Sequence, residues 1–259
     1  MPQSPSKNSG AVPESILSFE NVSKTFVSDL DREIQALKNI HLKIQPGRFV
    51  TIVGATGSGK TTLLDLASGL LKPSKGCIHH QHSLNLKSDI AYVFQHYTLL
   101  PWLTVLKNVA FGLRLRGQSY EKRNKTAKDW IDKVGLTGFE KAYPHELSGG
   151  MRQRTAIAQA LAVEPKLLLM DEPFGSLDDS TRADLQNILI ELHQQSQTTI
   201  LFVTHNIDEA IYLADRVIAL SPSPGTVLED ITVDIKKPRN RTSNVFNELF
   251  LEIRNIITR

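Results

Sequence analysis

One nonapeptide decides the fold: Gly54-Ala55-Thr56-Gly57-Ser58-Gly59-Lys60-Thr61-Thr62. It matches the pattern G-x-x-x-x-G-K-[ST], in which glycines allow backbone N–H groups to turn toward a bound phosphate. An apolar run at 49–53 precedes it, and leucines at helical spacing follow, so the order is strand, loop and helix. We expect Lys60 to reach the β- and γ-phosphates of a nucleotide and Thr61 to ligate Mg²⁺. The alternative is a plain Gly-Ser turn between two elements.

Composition limits the class of protein. A chain of 259 residues with 41% hydrophobic residues can form one domain with a sub-lobe. The longest central apolar run, 167–170, is far shorter than the ~18 residues needed to span a bilayer. The net charge of +3 is small and scattered, so we expect no nucleic-acid partner. The single cysteine, Cys77, excludes an internal disulfide and is expected to be structural.

Strand patterns alternate with helical patterns along the chain, which is typical of the α/β class. Alternation at 17–22 and 36–44 predicts antiparallel strands beside a parallel core. Residues 77–86 are predicted to form a short hairpin, and their histidine cluster at 79–82 is interpreted as a solvated turn in preference to a metal site. Three helical patterns, at 105–115, 122–134 and 151–163, predict an all-helical subdomain inserted at about 96–163.

The ends of the chain differ from its middle. Residues 1–15 are rich in Ser, Pro and Gly and lack the apolar core of a secretory signal, so we expect a disordered N-terminal lead. An amphipathic pattern at 244–257 predicts a helix. The predicted organisation is therefore a lead at 1–15, one domain at 16–242 and a helical tail at 243–259.

Two carboxylates follow the most apolar predicted strand. Asp171 and Glu172 come at the carboxyl end of 166–170, where open α/β sheets bind their ligands. A nucleotide-hydrolysing site needs one carboxylate to hold Mg²⁺ and a second to orient or deprotonate the attacking water. Without the phosphate loop, a strand end before a proline turn would explain the pair equally well.

A second anion-binding site is predicted at Ser148-Gly149-Gly150. Serine is a good helix N-cap, and the glycines leave bare N–H groups at a helix N-terminus, followed by Arg152 and Arg154. The alternative is an ordinary helix cap on a glycine turn.

The stretch 147–154, Leu-Ser-Gly-Gly-Met-Arg-Gln-Arg, resembles the signature of ATP-binding cassette (ABC) ATPases. The resemblance implies a P-loop NTPase (RecA-like) core with an antiparallel β subdomain and an inserted all-helical subdomain. It also implies ATP and Mg²⁺ as cofactors, and a head-to-tail pair in which each ATP lies between the phosphate loop of one cassette and the signature of the other. Met151 replaces the usual Gln, but Ser148 and the glycine N–H groups supply the main contacts, so we expect catalysis to survive.

Other family positions match in order. The resemblance implies that Gln95 contacts Mg²⁺ and the attacking water, that Ser176-Leu177-Asp178 crosses the dimer interface, and that His205 contacts the γ-phosphate. Phe26 occupies the place of the aromatic that stacks on adenine. The expected catalytic residues are thus Glu172, His205, Gln95 and Lys60; the expected metal ligands are Thr61, Gln95 and Asp171; and the expected nucleotide contacts are Phe26, residues 54–62, Ser148, Gly149, Gly150 and Asp178.

Several stretches, including 99–105 and 220–225, resemble importer cassettes for nitrate, sulfonate and taurine. The resemblance implies the ATPase subunit of a bacterial importer, peripheral on the cytoplasmic side of the inner membrane. Its implied partners are two transmembrane permease subunits, indirectly a solute-binding protein, and a second copy or a sister ATPase. Nitrate, taurine, an alkanesulfonate, bicarbonate or a pyrimidine precursor all remain open as the solute. An exporter cassette, a soluble non-transport ABC ATPase and a soluble phosphate-loop kinase are the alternatives.

Overall fold

The structure is a computed structural model, and it describes residues 15–27, 32–96, 98–175, 177–196 and 198–258. The strands are β1 (Leu17–Val27), β2 (Glu33–Ile44), β3 (Phe49–Val53), β4 (Lys75–His80), β5 (Ile90–Val93), β6 (Leu167–Asp171), β7 (Thr199–Thr204), β8 (Arg216–Leu220) and β9 (Val227–Thr232). The helices are α1 (Lys60–Ser68), α2 (Val105–Val109), α3 (Phe111–Leu115), α4 (Tyr120–Lys133), α5 (Gly149–Ala162), α6 (Asp179–Ser196), α7 (Ile207–Leu213) and α8 (Asn244–Ile257), with a 3₁₀ turn at Pro144–Glu146.

The core is a sheet of order β5-β6-β7-β3-β8-β9, in which β9 is antiparallel to β8 and the other neighbours are parallel. Strands β3, β6 and β7 are buried along their whole length, as their continuous apolar sequences predict. Val53 pairs with Thr204, and Asp171 pairs with Val203. This register brings the residues that follow β3, β6 and β7 to one edge of the sheet.

A second sheet, of order β2-β1-β4, forms the predicted antiparallel part. The hairpin predicted for 77–86 is wrong, because β4 pairs with β1 and the chain then continues in turns. The solvated turn predicted for the histidine cluster holds for His82, which lies in an exposed turn, but not for the two histidines before it. His79 and His80 lie in β4, and the His80 ring nitrogen Nε2 is 2.8 Å from the Ala67 carbonyl oxygen. Cys77, expected to be structural, is exposed on the same strand.

The predicted helical region contains α2 to α5. The single helix predicted for 105–115 is wrong, because Ala110 has a ψ of −7° and separates α2 from α3. Buried apolar side chains of these helices join the core sheet in one cluster; they include Val105, Val109, Leu113, Ala127, Trp130, Ile131, Ile157 and Leu161.

The helix predicted at 244–257 is α8, which buries Phe246 and Ile253 and packs against α7, β8 and β9. Among the described helices, none is both long and apolar enough to cross a membrane. The predicted division at 1–15, 16–242 and 243–259 stays a prediction, and most of its N-terminal lead, residues 1–14, lies outside the described residues.

Candidate active site

The phosphate loop connects β3 to α1 with a backbone that only glycine adopts easily. Gly59 has a φ of 88°, and a Cβ on it would lie 2.8 Å from the Ala36 carbonyl oxygen. Helix α1 begins at the next residue, so the N–H groups of its first turn and the positive end of its dipole face the loop. The loop is therefore built to hold an anion.

Lys60 lies under this loop and is only 5% exposed. Its Nζ donates to the carbonyl oxygens of Gly54 and Ala55, both at 3.0 Å. It is also 3.5 Å from Oε1 of Glu172. The ammonium group thus lies between the phosphate loop and the carboxylate that follows β6.

Asp171 ends β6 and is 5% exposed. Its Oδ1 has no hydrogen-bond partner among the described residues. Burial raises the pKa of this carboxyl, a hydrogen bond from Thr61 acts against that rise, and the charges of Glu172 and Asp65 add to it. A buried carboxylate oxygen without a partner, beside a threonine hydroxyl, is the kind of oxygen donor that Mg²⁺ prefers. These residues therefore fit the predicted metal site.

Glu172 and His205 form a pair. Nδ1 of His205 is 2.9 Å from Oε2 of Glu172. Glu172 has a φ of 40°, a strained value for a residue with a side chain. Its carboxylate is thereby held between an imidazole and the Lys60 ammonium, in a position to accept a proton from a water molecule.

Gln95 lies two residues beyond β5, at the same edge of the sheet, and is exposed. Phe26 lies near the end of β1 with 39% of its surface exposed, and Nζ of Lys24 is 5.1 Å from its ring centroid. Phe26 is therefore not a core residue, and its ring can be approached from solvent. Residues 28–31, which follow this strand, lie outside the described part of the chain.

The Ser148-Gly149-Gly150 segment begins α5, with the Ser148 Oγ accepting from the Met151 N–H at 3.3 Å. No hydrogen bond joins these three residues to residues 54–62 within the described residues. Asp178 caps α6, and hydrogen bonds from the Thr181 N–H and the Ser180 hydroxyl hold its pKa well below the ordinary value. Ser176, predicted to cross a dimer interface, lies outside the described residues.

The family model described as "ABC transporter" matches residues 37–175, which is more than half of the chain. The chain belongs to the ABC transporter family. An uncharacterized ABC transporter ATP-binding protein of Methanocaldococcus jannaschii is 47% identical over 93% of this chain and 91% of its own length. A nitrate import ATP-binding protein of Synechocystis is 46% identical over 90% of this chain and 89% of its own length.

Solved structures agree with this assignment. An ATP-binding cassette, solved as a dimer after hydrolysis with ADP and Pi, has a TM-score of 0.74 and 34% identity, and covers 84% of this chain and 98% of its own. CbiO1 of Clostridium perfringens, described as part of an ABC transporter complex, has a TM-score of 0.77 and 28% identity over 95% of both chains. The predicted fold is confirmed: this cassette has a P-loop NTPase core, and it is an ATP-binding and ATP-hydrolysing protein.

Sequence reasoning missed two parts of the site. The Tyr92 hydroxyl donates to Asp65 Oδ1 at 3.1 Å and ties β5 to α1. Burial raises the pKa of Asp65, against the lowering effect of this hydrogen bond. Asp65 follows Thr61 by four positions on a helix, so its spacing could have predicted it. Gly225, the second missed residue, packs against the back of the phosphate loop, and no local pattern indicates that contact.

Proposed function

We propose that this cassette is the ATPase subunit of an importer, and that it energises uptake of a small anion such as nitrate or an aliphatic sulfonate. The observation that carries the proposal is one hydrolytic cluster, formed by Lys60, Asp171, Glu172 and His205 at the edge of the core sheet. The relatives support the import part, because one is named for nitrate import and another, of Bacillus cereus, for aliphatic sulfonates import at 43% identity.

In this proposal the phosphate loop binds the triphosphate of ATP. The N–H groups of residues 54–62 and the Lys60 ammonium donate to the β- and γ-phosphate oxygens, at which charge develops during hydrolysis. On binding, Lys60 exchanges its two loop carbonyls for phosphate oxygens. Thr61, Asp171 and Gln95 would hold Mg²⁺, which neutralises further phosphate charge.

Glu172 is the proposed general base. Its Oε2 is 2.9 Å from His205, and its Oε1 faces Lys60. These contacts fix the carboxylate, so that it can align an attacking water and take its proton. His205 is largely exposed, so the ring nitrogen that does not face Glu172 can contact the γ-phosphate.

The site needs a second cassette to complete it. Ser148, Gly149 and Gly150 present a capped helix N-terminus, but within the described residues they make no hydrogen bond to their own phosphate loop. We infer that they bind the γ-phosphate held by a second copy or a sister ATPase, with Asp178 at the interface and Phe26 on the adenine. A cassette solved as a dimer with ADP and Pi supports this arrangement.

The membrane partners dock on the helical part in this proposal. Trp102 is 70% exposed there. Asn108, which is fully buried, donates to the carbonyl oxygens of Leu100, Leu103 and Thr104 and so holds the loop that carries this ring. An exposed aromatic on a hydrogen-bonded loop is a good anchor for a protein interface. Two permease subunits at this surface would keep the cassette on the cytoplasmic side of the inner membrane, with a solute-binding protein on the opposite side.

Replacing the base tests the proposed chemistry. Glu172→Gln keeps the shape of the side chain but cannot accept the proton, so ATP turnover should fall by about 10²–10⁴-fold. ATP-dependent dimerisation, measured by size exclusion, should persist. Glu229→Gln, an exposed change on β9, is the control and should hydrolyse ATP normally. Substantial hydrolysis by Glu172→Gln would rule out its role as the base.

Transport needs its own test. Cells that lack the gene should lose uptake of labelled nitrate or of a labelled aliphatic sulfonate, and wild-type cassette should restore it while Glu172→Gln should not. Normal uptake of both solutes without the gene would reject the proposed import function.

A further inference from the structure

A buried acid is hydrogen-bonded to the residue that precedes His205. Glu209, on α7, is 5% exposed. Its Oε2 accepts a hydrogen bond from the Thr204 hydroxyl at 2.7 Å. Its Oε1 is 3.4 Å from Nε2 of Gln186 and 3.6 Å from Nε of Arg182. The roles proposed above for the ATP site do not use this carboxylate.

Glu209 is hydrogen-bonded to the residues on both sides of His205, through its carboxylate on one side and its backbone N–H on the other. The hydroxyl of Thr204, the residue before the histidine, donates a hydrogen bond to Glu209 Oε2 and accepts one from the Asn206 N–H at 3.0 Å. Asn206, the residue after it, caps α7 by accepting from the N–H groups of Asp208 and Glu209. The Glu209 carboxylate is therefore linked through the Thr204 hydroxyl to the backbone that follows His205.

Arg182 connects that carboxylate to another functional segment. Its Nη2 donates to the Leu177 carbonyl oxygen at 2.7 Å, and its Nη1 donates to Asp179 Oδ1 at 2.9 Å. These two residues flank Asp178, which the proposed dimer brings to the interface. The Arg182 guanidinium therefore contacts both the Glu209 carboxylate and the segment that the proposed dimer brings to the interface.

Burial at this position disfavours the charged form of the Glu209 carboxylate. Burial raises the pKa of Glu209, and the Thr204 hydrogen bond and the Arg182 charge act against that rise. A cavity of about 220 Å³ lies beside the pair and is also lined by Glu172 and His205. A buried carboxylate is stable only when its partners are well placed, so a shift of Arg182 would change the position of the Glu209 carboxylate. The pair can therefore carry a displacement from one segment to the other.

We propose that Glu209 and Arg182 are positioning residues that couple His205 of one cassette to its own Leu177–Asp178 segment, and hence to the ATP site shared with the partner. The proposal rests on the dimeric ATP site proposed above. It predicts that the two sites of a pair hydrolyse ATP together, and that breaking the ion pair makes them independent.

The test uses three single variants of the full chain: Glu209→Gln, Arg182→Met and Arg182→Lys. Glu209→Gln and Arg182→Met should lower kcat by about tenfold to a hundredfold, because a small displacement of a reacting group has that effect. The affinity for a fluorescent ATP analogue should not change. The Hill coefficient for ATP should exceed 1 in wild type and fall to about 1, the value for independent sites.

Comparison of these variants with a double variant and a control separates coupling from simple stability. The double variant Glu209→Gln/Arg182→Met should be no slower than the slower single variant, because each single change already breaks the same link. Arg182→Lys keeps the charge of a partly exposed side chain, so it should fold normally and recover part of the rate. The control is Asp230→Asn, which removes the Arg216–Asp230 ion pair at the β8–β9 edge and should leave kcat and the Hill coefficient unchanged.

Four results would overturn the proposal: a wild-type Hill coefficient of about 1, a Hill coefficient in the variants equal to that of wild type, multiplied losses of kcat in the double variant, or the same loss in Asp230→Asn. If the proposed function itself were wrong, the wild-type chain would lack ATP-dependent dimerisation, which is a different observation.

Discussion

Gly225→Ala should weaken ATP binding, although Gly225 lies behind the phosphate loop and is not itself a predicted nucleotide contact. Its N–H donates to the Ala36 carbonyl oxygen, and its carbonyl oxygen accepts from the Lys38 N–H, both at 2.9 Å. A Cβ on Gly225 would overlap the backbone carbonyl oxygen of Ser58, in the middle of the phosphate loop. Because Gly225 is hydrogen-bonded to strand β2, it is held in place, and the phosphate loop is the part that must move.

The size of the effect follows from that overlap. An ordinary carbon–oxygen contact is about 3.3 Å or longer, so the Ser58 carbonyl would have to move by about 1 Å. N–H groups donate well only over about 2.7–3.2 Å, so a movement of that size breaks bonds to phosphate. Hydrogen bonds to charged groups contribute about 1.5–3 kcal/mol each. Losing about 3 kcal/mol in total raises the Kd for ATP by roughly a hundredfold.

Isothermal titration of wild type and Gly225→Ala with ATP measures this change, and thermal unfolding without ATP shows whether the variant is folded. Ser223→Ala is the matched control, because it lies in the same turn, is exposed, and loses only a 3.5 Å contact to the Gln35 carbonyl oxygen. Its Kd should equal that of wild type. A folded Gly225→Ala variant with unchanged Kd would refute the reasoning, because the loop would then tolerate the displacement.

Three other predictions follow from single contacts. Phe26→Ala should weaken ATP binding by about 1–3 kcal/mol, the usual value of base–aromatic stacking, without changing the binding of inorganic triphosphate; equal losses for both would contradict adenine stacking. Asp215→Asn should lose about 1.5–3 kcal/mol of stability at pH 7 in urea unfolding. Burial acts to raise the pKa of Asp215, but the Phe49 N–H and Lys237 outweigh it and hold the pKa below its ordinary 3.8, so its contribution is complete above that value and is lost as pH falls through the lower folded pKa. A difference between variant and wild type that stays constant down to pH 2 would contradict this sign. Trp102→Ala should leave ATP hydrolysis by the isolated cassette unchanged but weaken permease binding by at least about tenfold, as loss of a large aromatic anchor does; equal affinity in a pull-down titration would reject its docking role.

Patterns within short stretches predicted much of this fold correctly. The glycines and lysine at 54–62 indicated the phosphate loop, and the apolar run before Asp171 indicated a central strand. Helix α8 was predicted at its observed bounds because its apolar residues recur at helical spacing. Such signals depend on neighbouring residues alone, so they can be recognised without knowledge of the rest of the fold.

The wrong predictions concern strand pairing and backbone angles, which the local patterns do not specify. Residues 77–86 look like a hairpin locally, yet β4 pairs with β1, which comes more than fifty positions earlier in the chain. The helix at 105–115 is divided at Ala110, where ψ departs from the helical value. Cys77 is exposed because it lies in β4, at the border of its sheet. In each case strand pairing or backbone geometry overrode the local pattern.

By itself, the sequence determined the chemistry available to this cassette: a phosphate loop, two carboxylates at a strand end, a histidine after another strand and a capped glycine signature. Only the tertiary structure decided which of these groups meet. The parallel register of β3, β6 and β7 brings Lys60, Glu172 and His205 within hydrogen-bond or ion-pair distance, although they are separated by up to 145 positions, from 60 to 205. The support of the loop by Gly225 and the link from Glu209 to Arg182 arise in the same way. Such contacts depend on the closure of long chain segments, which no short stretch encodes.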